Sequence, residues 1–223
     1  MARLAGAIGA FALAAVCFAF VAIDRWWPCA AFGVGSEACG LRQDDSYDIG
    51  LALGGPLATQ YAVRLAAYVL VGVGLVLVGR AAGTTRARRS GLVAALLPWL
   101  SAVTMLGPGV EVPGATWWLI VATVAVGPLA LAAARPLTTR AGLAEVFAIA
   151  MVTTSLLIDF FALAPLLTGY FSWDTNPWTW LPSAIGCTAA SVALAAMTRG
   201  TAGGASTHGR PRRSTAATTK ATS

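Results

Sequence analysis

From Leu4 to Ile23 the chain runs for 20 residues without a charged side chain. At 1.5 Å of rise per residue, a helix of that length reaches about 30 Å, the hydrocarbon thickness of a bilayer. Comparable apolar runs follow at 61–79, 91–107, 117–135, 144–169 and 182–198. None alternates polar and apolar residues as the strands of a membrane barrel do. Lipid offers backbone N–H and C=O groups no partners, so each run is expected to satisfy its own as a helix. Composition agrees: 57% of residues are hydrophobic and 11% charged, with mean hydropathy +0.73. Soluble domains carry roughly 25% charged residues, and a water-soluble globule needs that polar shell. The expected fold is all-α, a polytopic bundle of about six transmembrane helices.

The basic residues set the expected orientation. With Met1 on the cytoplasmic side, the inner segments hold Arg3, Arg80, Arg86, Arg88, Arg89, Arg135, Arg140, Arg199, Arg210, Arg212, Arg213 and Lys220, which is 12 of 15. Arg25, Arg42 and Arg64 fall outside. Short Arg-rich joints mark the cytoplasmic face, so both termini are placed inside. The net charge of +6 therefore reflects topology rather than nucleic-acid binding, for which the basic tail lacks interleaved aromatics. Richness in Ala, Gly and Arg, with lysine only at Lys220, fits a bacterial chain and a bacterial cytoplasmic membrane.

Residues 1–198 read as one transmembrane domain with a long outer loop at 24–60. Residues 199–223 read as a disordered basic cytoplasmic tail without an apolar face. The first run exceeds the roughly 7–15 residues of a signal-peptide core and no A-x-A site follows, so it is expected to stay as a span. The weakest span is the third, short and interrupted by Pro98. No internal repeat is evident.

Cys29 and Cys39 lie in the first outer loop, ten positions apart. Outside a bacterial cytoplasmic membrane thiols meet oxidising conditions, so a disulfide is expected there. Closing a loop of this size stabilises it by roughly 2–3 kcal/mol in the chain-entropy description. The absence of C-x-x-C argues against redox chemistry. Cys17 and Cys187, inside apolar runs, read as small packing residues.

Asp159 is the one acid deep in a span, about 15 Å below the outer end of the fifth helix at helical rise. A carboxylate there costs at least ~2.5–3.5 kcal/mol and requires a proton, a partner or water. Ser155 lies one turn away, with Thr153 and Thr154 further in, and together they mark a polar path. The functional reading is a proton- or cation-coupling carboxylate. The structural reading is an ion pair with Arg64, which enters the second span from the same outer side.

Trp26, Trp27, Trp117, Trp118, Trp173, Trp178 and Trp180 all fall at outer helix ends or loops, and only Trp99 lies within a span. Interfacial anchoring explains much of this. An ordinary belt would decorate both faces, so Trp173, Trp178 and Trp180 also form a candidate aromatic platform for a lipid, glycan or partner. Asp44, Asp45 and Asp48 lack the ligand spacing of a calcium loop and read as a solvated acidic stretch. Small residues at Ala2, Gly6, Ala10 and Ala14, and at Ser183, Cys187, Ser191 and Ala195, suit close helix docking, within a bundle or between protomers.

No nucleotide-binding or zinc motif occurs, and the one histidine, His208, lies in the tail. No cofactor, metal or catalytic residue is assigned. The leading functional expectation is a non-catalytic subunit or scaffold of a transport or envelope-assembly system, with a membrane-protein partner or a second copy of itself. Two rivals stand beside it: a small transporter using Asp159, and a lipid-modifying enzyme using the outer acids Asp44, Asp45, Asp48 and Asp174.

Overall fold

A computed structural model describes residues 2–33, 36–39, 58–104, 143, 146–147, 149–150, 166, 178 and 180–204. Every described element is helical. Helix α1 spans Ala2–Phe32, α2 Ala58–Ala81, α3 Thr85–Thr104 and α4 Leu181–Gly204, and positions 143, 146, 147, 149 and 150 are helical as well. Helix α1 packs on both α2 and α4, and α2 packs on α3.

The α1–α2 pair is antiparallel and in tight register. Arg3 meets Arg80, a Cβ on Gly6 would touch Leu77, the Phe11 ring lies against Gly74, Phe18 meets Tyr68 edge-on at 5.1 Å, and Asp24 meets Gln60. Arg3 and Asp24 are 21 residues apart on one helix, or about 31 Å at helical rise, so the two polar ends of the pair are one hydrocarbon thickness apart. Helix α4 docks on α1 through its small-residue face. Ser183 and Cys187 are fully buried there, and the Ser191 hydroxyl donates to the Ile8 carbonyl at 3.2 Å. Of the expected small-residue stripe in α1, Ala10 and Ala14 are buried while Ala2 and Gly6 are exposed.

Between α2 and α3 the backbones themselves touch. A Cβ on Gly79 would lie 2.5 Å from the Ala87 carbonyl oxygen and 3.0 Å from the Gly91 Cα. Only glycine permits this approach. The joint turns at Gly83 (φ +80°), and the Thr84 hydroxyl accepts the Ala87 N–H at 3.1 Å, capping α3. Higher up, the Trp99 ring covers Gly72 and its indole N–H donates to the Val69 carbonyl at 3.3 Å. That contact gives a span-embedded indole the acceptor it needs.

The outward faces identify the solvent. On α1, Leu13, Val16, Phe20, Ile23 and Trp27 recur every three or four residues and are all exposed, as are Leu92, Leu96 and Leu100 on α3. A helix in water turns such a stripe inward. Here large apolar side chains stand on the exposed faces as well as the buried ones, an arrangement suited to lipid. Three helical stretches, Ala2–Phe32, Ala62–Ala81 and Leu181–Arg199, are long and apolar enough to cross a membrane. The chain is therefore built as a membrane protein.

Three boundaries differ from the sequence expectation. Helix α1 does not stop at Ile23 but continues nine residues to Phe32, so the first part of the expected outer loop is helix. Helix α4 runs past Arg199 to Gly204, into the expected tail. Helix α3 begins at Thr85 within the Arg-rich joint, and its apolar part from Gly91 to Thr104 spans only about 20 Å. Among the described residues it is not long and apolar enough to cross. The fourth span, Thr153, Thr154, Ser155, Asp159, Trp173, the outer acids Asp44, Asp45, Asp48 and Asp174, and residues 205–223 lie outside the described residues.

Candidate functional site

Asp24, Arg25, Gln60 and Arg64 gather at the C-terminal end of α1, and the extension of that helix is what gathers them. Buried positions on α1 follow one stripe, Phe18, Val21, Ala22, Arg25, Trp26 and Cys29. Its periodicity carries straight past the end of the apolar run, so Arg25, Trp26 and Cys29 face the neighbouring helices rather than water. Gly33 ends the helix in the left-handed conformation (φ +91°), its N–H bonding the Cys29 carbonyl at 3.0 Å. The Ser36 hydroxyl then donates to the Gly33 carbonyl at 2.8 Å and accepts the Cys39 N–H at 3.2 Å. These two turns bring the chain back so that Cys39 bonds Cys29, with Cα atoms 4.5 Å apart. The expected disulfide is present. It is buried with Trp26, and Trp178 packs against it.

Helix α2 adds the other wall. The Gln60 side-chain amide donates to the Asp24 carboxylate, and Arg64 follows one turn deeper. The Arg25 and Arg64 guanidinium carbons lie 5.3 and 4.8 Å from the centre of the same ring, that of Trp180. Both arginines are about nine-tenths buried, and Trp180 is 5% exposed. Sharing one ring places the two like charges no more than about 10 Å apart. Their repulsion is then at least ~1.6 kcal/mol at an effective dielectric of 20. The aromatic face offsets it, since each desolvated cation–π contact contributes up to about 2 kcal/mol. Asp24, beside Arg25 in sequence, supplies the negative charge on α1.

Trp178 and Trp180 both adopt positive φ, 60° and 75°. For residues with a Cβ this costs roughly 1–2 kcal/mol each and persists only where the surroundings hold it. The holding contacts are visible: the disulfide against Trp178, two guanidiniums on Trp180, and backbone bonds from Leu181 N–H to the Trp178 carbonyl (2.9 Å) and from Ala184 N–H to the Trp180 carbonyl (3.0 Å). The Trp26 and Trp180 indole N–H groups are buried and find no acceptor among the described residues.

Of the sequence candidates, Cys29, Cys39, Arg64, Trp178 and Trp180 converge here. Arg64 rests on Trp180, which is buried, and Trp178 is half-buried against the disulfide; Asp159, Ser155 and Trp173, the other members of the expected polar path and aromatic platform, lie outside the described residues. Arg25, Asp24 and Gln60 were not anticipated. For Asp24 and Arg25 the signal was the unbroken three-to-four spacing from Phe18 to Cys29 and the absence of a glycine between Asp24 and Phe32. Hydropathy marks where a span ends, not where its helix ends. In chemical terms the arrangement is a clasp of cations, rings and a crosslink that fixes three helices to one another. The chain matches no protein family, no curated protein and no solved structure.

Proposed function

We propose that this chain is a multi-pass protein of a bacterial cytoplasmic membrane, with about six spans and both ends inside. In this reading it serves as a non-catalytic subunit or scaffold of a transport or envelope-assembly system. The observation that carries the reading is how the outer end uses its polar side chains. Asp24, Gln60, Arg25 and Arg64 are engaged with α1, α2 and Trp180, the crosslink holds the α1 end, and the large side chains that α1 exposes beyond Asp24 are aromatic: Trp27 is 61% exposed and Phe32 69%. Phe32 stands eight residues beyond Asp24, about 12 Å further out along the helix. A stiff head with exposed rings suits docking of another membrane or envelope protein, or of a second copy, because interfaces favour rigid aromatic anchors.

The orientation is supported by the register. Arg3, Arg80, Arg86, Arg88, Arg89 and Arg199 lie toward one end of the helices and the clasp lies at the other. The test is purification in mild detergent after chemical crosslinking, comparing the native chain with Trp27→Ala/Phe32→Ala. A stoichiometric complex or dimer lost in the double variant, with helical content and monomer stability unchanged, is expected. A native chain that stays monomeric and uncrosslinked removes the scaffold reading. Phosphatase fused after Ser223 is expected to be inactive, and activity there overturns the orientation.

A further inference from the structure

At the end opposite the clasp, the arginines are treated in the opposite way: Arg3, Arg80, Arg86, Arg88, Arg89 and Arg199 are all exposed. The helix stretches that carry them hold no acid near this end: residues 2–23, 61–104 and 181–204 contain neither Asp nor Glu. One of the six is held in place. The Arg3 side chain reaches over the end of α2 and donates from Nη1 to the Arg80 carbonyl at 3.2 Å. Among the described residues that is the one bond its side chain makes, so the guanidinium is oriented and its other N–H groups meet no acceptor among them.

Beside it opens a cleft of about 310 Å³ lined by Ala2, Arg3, Leu4 and Ala81. Three of the four lining residues are apolar and the fourth is Arg3; exposed Arg80 stands next to Ala81 in the chain. The level also matters. Arg3 lies about 31 Å along α1 from the Asp24–Gln60 pair, which puts the cleft at the opposite hydrocarbon boundary.

We propose that this cleft binds the phosphodiester of an anionic phospholipid in the leaflet that Arg3 faces. The guanidinium fork takes the phosphate oxygens, and Ala2, Leu4 and Ala81 take the glycerol and first acyl carbons. Three features select this ligand. A planar guanidinium matches phosphate bidentately. The surrounding exposed arginines attract negative headgroups over zwitterionic ones. The apolar lining residues have no use for a free anion. The inference rests on the bilayer placement given above but not on the scaffold reading.

The full chain in neutral detergent, titrated with dioleoyl-phosphatidylglycerol and followed by native mass spectrometry and thermal unfolding, tests it. Dioleoyl-phosphatidylcholine and inorganic phosphate serve as controls. A saturable adduct with phosphatidylglycerol, absent with phosphatidylcholine, is expected, together with an upward thermal shift that phosphate alone does not reproduce. Arg3→Gln/Arg80→Gln should bind about thirtyfold more weakly, the loss of two cationic contacts to a headgroup. Should that variant not fold, Arg3→Lys keeps the charge but not the fork and should still bind several-fold more weakly. Equal retention of both lipids, or unchanged affinity in the variants, overturns the proposal. A shift fully reproduced by phosphate overturns the lipid as ligand. Insertion scored in parallel by carbonate extraction keeps these outcomes separate from a failure of the bilayer placement.

Discussion

The two ends of the α1–α2 pair are closed by different chemistry. At the outer end, side chains do the joining: two arginines on one indole, a carboxylate with an amide, a disulfide under Trp26 and Trp178. At the inner end the α2–α3 joint is closed by the backbones of Gly79 and Gly91, the arginines are exposed, and one side-chain bond, Arg3 to the Arg80 carbonyl, ties α1 to α2. Apolar surface gives helices in lipid little reason to associate, so close van der Waals contact or polar bonds must supply it. This molecule relies mainly on one at each end. The contrast also shows that an arginine's role is set by what stands beside it. Arg25 and Arg64 have an aromatic face and become internal, while Arg80 and Arg88 have none among the described residues and are exposed.

If the inner closure depends on backbone contact, filling it is the most damaging single change. Gly79→Leu places side-chain carbon where the Ala87 carbonyl and the Gly91 backbone already sit. A clash with backbone cannot be relieved by a rotamer, so α2 and α3 must part. The loss should be on the order of 4–5 kcal/mol, read as collapse of the thermal transition in detergent. Tolerance of leucine there would break the comparison. At the other end Trp180→Ala should cost about 3–5 kcal/mol, by removing a buried ring and leaving two guanidiniums without their shared face. Trp180→Phe, which keeps a ring, should recover most of this. If alanine and phenylalanine behave alike, the guanidinium contacts contribute nothing.

Reduction of the Cys29–Cys39 bond, or Cys39→Ser, should remove roughly 2–3 kcal/mol, confined to the head. Protease sensitivity should rise around residues 33–39 while the helical signal of the bundle stays constant. Thiol labelling reports the same bond: Cys29 and Cys39 should react only after reduction. Free thiols in the unreduced protein would remove the crosslink from the outer end and leave the rings and arginines alone to hold it.

Much of this architecture was legible because hydropathy and charge act on long stretches. The first span, the arginine joints and the Cys29–Cys39 pair need only composition, compartment and spacing. The clasp was harder to see. Arg25 and Trp26 follow directly on an apolar run that ends at Ile23, and polarity there reads as loop, yet nothing between Asp24 and Phe32 stops a helix except Pro28, which α1 accommodates. Contacts that join residues far apart in sequence, such as Arg25 and Arg64 on Trp180, have no periodic signature at all. The Gly79–Gly91 contact is equally silent, because a glycine in a span reads the same whether a backbone or a lipid tail lies above it.

The smallest effects give the sharpest comparison, because one substitution can be placed at both ends. Arg25→Gln removes a guanidinium from a buried ring contact and should cost about 1–2 kcal/mol. Arg88→Gln removes one from an exposed position in the first turns of α3, where water and headgroups solvate it, and should change stability by less than about 0.5 kcal/mol. Thermal unfolding of the two variants in the same detergent measures the difference directly. The ordering follows from desolvation: a charge that never left solvent returns nothing when it is deleted, whereas Arg25 gives up an interaction strengthened by the absence of water. Salt supplies a second reading of the same physics. Raising ionic strength should narrow any residual effect at Arg88 and leave that at Arg25 in place, since screening reaches exposed charges and not buried ones. Equal costs at both positions would mean that the arginines at the two ends sit in the same environment, and the division between an outer end joined by side chains and an inner end joined by backbone would fail.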